Sequence, residues 1–99
     1  MTQFSEETKR EIIRLCKKNK VRELSIFGSR SRGDNSQNSD YDLLVDFLPS
    51  SGVSLLELSR MQIDLQELLG KKVDLVPKRG LKPLIRERVL AEAQLIYAE

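Results

Sequence analysis

The chain has 99 residues, one cysteine and no histidine, and 17 basic against 15 acidic residues give it a formal net charge of +2. A chain of this length builds one modest core, so we expect a single domain over residues 1–99. Without histidine there is no Ser-His-Asp triad, no Cys-His pair and no zinc site with histidine ligands. Cys16 alone forms neither an intramolecular disulfide nor a pair of thiolate ligands. Chemistry must therefore come from carboxylates, hydroxyls, backbone amides and basic side chains, which suit hard cations and phosphates.

The same sequence also predicts the cellular compartment and bears on whether the protein binds membranes or nucleic acids. The apolar runs are too short to span a bilayer, and the N-terminus MTQFSEETKR is polar where a signal peptide is apolar. These features, with the single cysteine, predict a cytoplasmic protein that has no membrane contact. The near balance of charges gives no support to direct nucleic-acid binding.

The first half of the chain reads as a helix followed by two strands. Helical periodicity predicts a helix over residues 5–19, with Ser5 as its N-cap. A first strand is predicted over residues 23–27. The turn-forming run GDNSQNS at residues 33–39 then leads to a second strand over residues 41–47.

The second half reads as helix, strand and helix. A leucine-rich amphipathic stripe predicts a helix over residues 53–69 that ends before Gly70. A short strand is predicted over residues 73–76 and a last helix over residues 81–97. The expected buried face of that last helix comprises Leu81, Ile85, Val89, Ala93 and Ile96. This order predicts an α+β (α/β-like) domain, a small mixed sheet of three or more strands with helices packed on one face.

The segment GSRSRG directly after the first strand carries the first candidate site. Gly28 allows a close backbone approach, and Ser29 stands where a short helix could begin with free amides that bind phosphate. Arg30 and Arg32 add positive charge beside it. A Gly-Ser turn with solvated arginines explains this segment equally simply if it is considered alone.

Two aspartates at the start of the second strand carry the second candidate site. Because strand side chains alternate, Asp40 and Asp42 point to the same side of the sheet. Two neighbouring carboxylates repel each other unless a cation lies between them, and oxygen ligands suit Mg²⁺. The alternative is a pair of turn-forming aspartates that end a loop.

Asp74 is a third carboxylate, in the middle of the strand VDLV, where aspartate is disfavoured unless it has a role or a partner. If this strand pairs beside the second strand, Asp74 joins Asp40 and Asp42. Three carboxylates around one or two Mg²⁺ ions form a two-metal site for phosphoryl transfer. The alternative is an edge-strand aspartate paired with Lys71 or Lys72.

The combined spacing resembles a known family. Gly28-Ser29, ten residues, Asp40-x-Asp42 and a later strand aspartate are similar to the nucleotidyltransferase fold of the DNA polymerase β superfamily. The short GSRSRG and SDYDLLVDF segments resemble its minimal members, the MntA-type antitoxins of MNT–HEPN pairs. The resemblance implies that Gly28 and Ser29 bind the nucleotide triphosphate, with Arg30 and Arg32 beside them. It also implies that Asp40, Asp42 and Asp74 are the catalytic Mg²⁺ ligands.

The same resemblance implies a function. ATP would be the substrate, with two Mg²⁺ ions as cofactors, and AMP would pass to a hydroxyl, expected to be a tyrosine, of a HEPN-type RNase toxin encoded nearby. The protein would then act as a type VII-like antitoxin, with a complex between the two proteins. Two alternatives stay open: nucleotidyl transfer to a small molecule or an RNA, and a non-catalytic antitoxin that neutralises its toxin by binding.

Overall fold

The computed structural model describes residues 4–33 and 40–99, and the rest of the predicted 33–39 turn lies outside these residues. Most predicted elements are present with small shifts at their ends. In chain order they are α1 (Glu6–Lys18), β1 (Val21–Phe27), α2 (Ser29–Arg32), β2 (Tyr41–Phe47), α3 (Leu55–Leu69), β3 (Val73–Pro77), a 3₁₀ turn (Lys78–Gly80), α4 (Pro83–Glu92) and β4 (Gln94–Ala98).

The helix starts are set by serine caps. The Ser5 hydroxyl accepts a hydrogen bond from the Thr8 amide at 3.1 Å, which confirms Ser5 as the N-cap of α1. Ser54 caps α3 in the same way through the Glu57 amide at 3.2 Å, so α3 begins two residues later than predicted. At its other end α3 stops at Gly70, which has a left-handed conformation with φ of 66°.

The four strands of the described chain form one mixed sheet in the order β3-β2-β1-β4. β1 runs antiparallel to both β2 and β4, whereas β2 and β3 are parallel. The register places Asp42 opposite Phe27 on one side and opposite Asp74 on the other. The second and third predicted strands therefore pair side by side, which is the condition for Asp74 to lie near Asp42.

The main core lies between one face of the sheet and the helices α1 and α3. Alternate residues of the strands point into it, as the period of two requires. The residues in this core that are fully buried are Ile12, Cys16, Val21, Leu24, Leu43, Val45, Met61, Leu65 and Val73.

The opposite face of the sheet is also covered. Leu44 packs there with Leu81 and Val89, and Phe27 and Val76 lie against this second cluster. The helices therefore cover both faces of β2, not one face as predicted. This explains why the β2 residues Leu43, Leu44 and Val45 are apolar without alternation.

The predicted last helix over residues 81–97 is wrong in its second half. α4 ends at Glu92, and Ala93 leaves the helix with φ of −66° and ψ of 134°. The following residues Gln94–Ala98 pair with β1, whose edge would otherwise carry unpaired backbone groups. The residues of the expected buried face do not share one face in the structure: Leu81 and Val89 lie in the second cluster, Ile96 packs against the main core, and Ile85 is 47% exposed. Across the described residues, no helix is long and apolar enough to cross a membrane.

Cys16 provides a test of this core. Burial raises the pKa of its thiol from 9.0 to about 12, so the folded protein keeps the proton at a pH where the unfolded chain loses it. This stabilising contribution is complete below pH about 9 and is lost as the pH rises toward the folded value. We expect the free energy of unfolding in urea to fall in that range by up to about 1.4 kcal/mol per pH unit more than in Cys16→Ala. Parallel pH curves for the two proteins would show that the thiol is not shielded.

Candidate functional site

The predicted site residues meet at one edge of the sheet because of the strand directions. β1 is antiparallel to β2, so the end of β1 lies beside the start of β2. β3 is parallel to β2, so their starts lie side by side. Gly28 follows β1, Asp40 directly precedes β2, and Asp42 and Asp74 are the second residues of β2 and β3.

Gly28 is fitted tightly against Asp42. Its backbone has φ of 76° and ψ of −154°, a conformation that in practice only glycine adopts. A Cβ at this position would collide with Oδ2 of Asp42 and lie 3.2 Å from its Cγ. The absence of a side chain at Gly28 therefore leaves room for the neighbouring Asp42 carboxylate.

A single helical turn follows Gly28, as expected for this segment. The amides of Ser31 and Arg32 donate to the Gly28 carbonyl at 3.1 and 3.2 Å, and the Ser31 hydroxyl donates to the same oxygen at 3.0 Å. Ser29 is the first residue of this turn. Gly28 therefore stands against Asp42, and Ser29 begins the turn directly after it.

Asp42 is the sheltered member of the carboxylate group. It is partly buried, whereas Asp40 and Asp74 are exposed. Burial raises the pKa of the Asp42 carboxyl, and the charges of Asp74 and Asp40 raise it further. Arg32 lowers this pKa, and Glu92 adds another negative charge that raises it. The three aspartates therefore interact electrostatically, with Asp42 at the centre.

The carboxylates fit a divalent cation that shares its shell with a substrate. Within residues 4–33 and 40–99, no group of three acidic, cysteine or histidine side chains is assembled to hold a metal ion by itself. Mg²⁺ commonly uses one or two carboxylates and takes its remaining ligands from water and substrate phosphates. Asp42 and Asp74, paired in register, supply such oxygen ligands. In the described part of the chain no ion pair joins Asp74 to Lys71 or Lys72.

The two arginines of the GSRSRG segment have different surroundings. Arg30 is buried, and its guanidinium carbon lies 4.0 Å from the centre of the Tyr41 ring. The Phe4 ring contacts the same tyrosine at 5.6 Å between ring centres. Arg32 is more exposed and forms an ion pair with Glu92 at 3.0 Å. The structure thus places Arg32 within electrostatic reach of Asp42 and Arg30 against the Tyr41 ring.

Sequence reasoning missed two side chains that contact this loop. Glu92 Oε1 accepts a hydrogen bond from the Gly28 amide at 3.2 Å. The Gln94 side chain donates to the Ser31 carbonyl at 2.7 Å. Both residues fall inside the helix predicted over residues 81–97, so no local signal pointed to the site. A strand prediction for β4 would have placed them beside the end of β1.

Comparisons with known proteins agree with this geometry. The family described as "Nucleotidyltransferase domain" matches residues 9–96. A protein of Methanocaldococcus jannaschii, named as a candidate protein adenylyltransferase, is 44% identical over 87 residues, which are 88% of this chain and 91% of that protein. The protein adenylyltransferase MntA of Thermococcus cleftensis is 46% identical over 74 residues, 73% of this chain and 71% of that protein. A solved toxin–antitoxin complex with AMP-PNP is similar in structure, with a TM-score of 0.76 and 25% identity, covering 92% of this chain and 73% of that one.

Gly28 and Gly33 form a matched pair for testing the contact with Asp42. Both have positive φ, but among the described residues nothing lies within 4 Å of a Cβ added at Gly33. We expect Gly33→Ala to lower the free energy of unfolding by about 1 kcal/mol. Gly28→Ala adds a collision and a glycine-only conformation, so we expect a loss of about 3 kcal/mol or more. Urea unfolding measures both, and equal losses would contradict the close Gly28–Asp42 contact.

Proposed function

The chain belongs to the nucleotidyltransferase domain family, in its minimal MntA-type branch of protein adenylyltransferases, and we propose that it transfers AMP from ATP to a hydroxyl group of a partner toxin. The observation that carries this proposal is the register between β2 and β3. It puts Asp42 directly opposite Asp74, with the Gly28-Ser29 turn against Asp42. Carboxylates beside a turn with phosphate-binding groups suit a nucleotide triphosphate.

The chemistry is a displacement at the α-phosphorus of ATP. The acceptor oxygen forms a bond to this phosphorus, the bond to the bridging oxygen between the α- and β-phosphorus breaks, and pyrophosphate leaves with that electron pair. Asp74 would take the hydroxyl proton, and its exposure to solvent, where an acceptor can approach, supports this role. The Ser29 hydroxyl and the Arg32 guanidinium are suited to hold the departing phosphates.

Asp40, Asp42 and Asp74 would hold Mg²⁺, with two ions expected when ATP is bound. Bound Mg²⁺ would lower the pKa of the acceptor hydroxyl and neutralise charge on the phosphates. Burial, and then the charges of Asp74 and Asp40, raise the pKa of the Asp42 carboxyl, and a bound cation would offset this cost, which supports the assignment.

The partner is proposed to be a HEPN-type RNase toxin encoded nearby, modified on a tyrosine in a complex of the two proteins in the cytoplasm. The similarity to a toxin–antitoxin complex that holds an ATP analogue supports such a partner. The chain also spans most of the length of its M. jannaschii relative, so we propose that residues 1–99 act as one catalytic domain.

Substitution of the carboxylates tests the transfer reaction. The chain and the neighbouring gene's product, incubated with Mg²⁺ and α-labelled ATP, should yield labelled partner protein. We expect Asp42→Asn and Asp74→Asn to lower the rate roughly 100-fold or more. Asp46→Asn is the matched control, because Asp46 lies on β2 and on the same face as Asp42 but four residues farther along.

Three outcomes would contradict the proposal. Equal transfer rates in Asp42→Asn and wild type would remove Asp42 from the metal site. Full neutralisation of the toxin by Asp42→Asn without any added AMP would favour a non-catalytic antitoxin. Label that appears on RNA or on a small molecule, and not on the partner, would change the acceptor.

The two arginines are expected to respond differently to substitution. Arg30→Met should lower the free energy of unfolding by about 1–2 kcal/mol, because it removes a sheltered cation from the Tyr41 ring. Arg32→Met should change the free energy of unfolding by no more than about 1 kcal/mol, because its ion pair with Glu92 is partly exposed. It should also raise KM for ATP, because the Arg32 guanidinium is proposed to hold the phosphates. Urea unfolding and initial-rate kinetics test both, and the reverse pattern would assign the phosphate contact to Arg30.

A further inference from the structure

The junction between α4 and β4 holds the loop after β1 through two side chains. One Glu92 oxygen accepts from the Gly28 amide at 3.2 Å, and the other pairs with the Arg32 guanidinium at 3.0 Å. Two residues later, Gln94 donates to the Ser31 carbonyl at 2.7 Å. Both ends of the short α2 turn are therefore tied to the same junction.

Strand pairing explains why Glu92 reaches this place. β4 is antiparallel to β1, with Gln94 opposite Ile26. If this register is continued by two residues on each strand, Glu92 comes opposite Gly28. Glu92 is the last residue of α4, two residues before this pairing begins, so the start of β4 holds it near Gly28, and its side chain is only 19% exposed. A sheltered carboxylate held by two donors in this way has one well-defined position.

The contacts of Glu92 are made to groups that the phosphates of a nucleotide would approach. Gly28 has no room to move toward Asp42, because its Cα already lies close against that carboxylate. Arg32 is within electrostatic reach of both Asp42 and Glu92, so Glu92 competes with Asp42 for this guanidinium. Without the Glu92 carboxylate, Arg32 would move toward Asp42 and the Gly28 amide would lose its hydrogen-bond acceptor.

We propose that Glu92 is a positioning residue for nucleotide binding, whose two carboxylate oxygens hold the Gly28 amide and the Arg32 guanidinium in the arrangement that receives the triphosphate. This inference rests on the proposed nucleotidyltransferase function. It differs from a role as a substitute anion, in which Glu92 would occupy the phosphate position and be displaced by ATP. The two roles predict opposite effects on affinity.

Binding of AMP-PNP with Mg²⁺ to the full chain distinguishes these roles. We expect Glu92→Gln to raise the Kd by about 10-fold, because a misplaced binding group loses affinity. Glu87→Gln is the matched control, since Glu87 is exposed on the same helix, and it should bind like wild type. An unchanged or lower Kd in Glu92→Gln would overturn the proposal, and a lower value would identify the carboxylate as a competing anion.

A double-mutant cycle separates positioning from a simple effect on folding. In an Arg32→Met background, Glu92→Gln should raise Kd by much less than 10-fold, because the pair acts as a unit. Additive effects of the two substitutions would overturn the proposal. Thermal unfolding of each variant establishes that the proteins compared are folded at the assay temperature.

Amide exchange of the nucleotide-free protein gives a readout that does not depend on ATP. The Gly28 amide should exchange at least about 10-fold faster in Glu92→Ala than in Glu87→Ala, because its acceptor is lost. Equal exchange would overturn the proposal. If wild type fails to bind AMP-PNP, the proposed function fails; if wild type binds and Glu92→Gln matches it, only the role of Glu92 fails.

Discussion

The pairing of Asp42 with Asp74 across two parallel strands is the contact on which the site depends. Two carboxylates side by side repel each other, and partial burial makes the charge on Asp42 more costly. Such a pair is maintained only if the surrounding sheet is rigid enough to prevent the strands from separating. The fully buried Leu43 and Val45, which follow Asp42 along β2, provide that rigidity.

Covering β2 on both faces has a direct effect on where chemistry can take place. The α1–α3 side excludes ligands because it is filled by the main core. The α4 side is filled farther along the strand by Leu44 and Val89, which leaves Asp42 at the rim of the second cluster. The site therefore combines a rigid base with access from solvent, as the proposed transfer from a nucleotide to a protein requires.

Local patterns predicted the parts of the fold that local interactions determine. β2 has the predicted bounds, and the caps at Ser5 and Gly70 act as expected, since each depends on residues within one helical turn. The grouping of Gly28 with Asp42 and Asp74 could also be predicted, because the family resemblance carries the strand order. The C-terminal strand could not, since the apolar spacing of residues 93–96 suits a helix face as well as a strand, and only the open edge of β1 decides between them. The contacts of Arg30 and Glu92 could not be predicted for the same reason: their partners Tyr41 and Gly28 lie in other elements.

Because β3 lies at the edge of the sheet, Asp74 has a second effect. An edge strand has unpaired backbone groups that can recruit a strand from another molecule, and short length, charge and proline all discourage this. β3 has five residues, carries the exposed Asp74 near its start and ends at Pro77, which lacks an amide donor. The carboxylate paired with Asp42 therefore also discourages edge-to-edge pairing, so the proposed chemistry and the protection of this edge depend on the same residue.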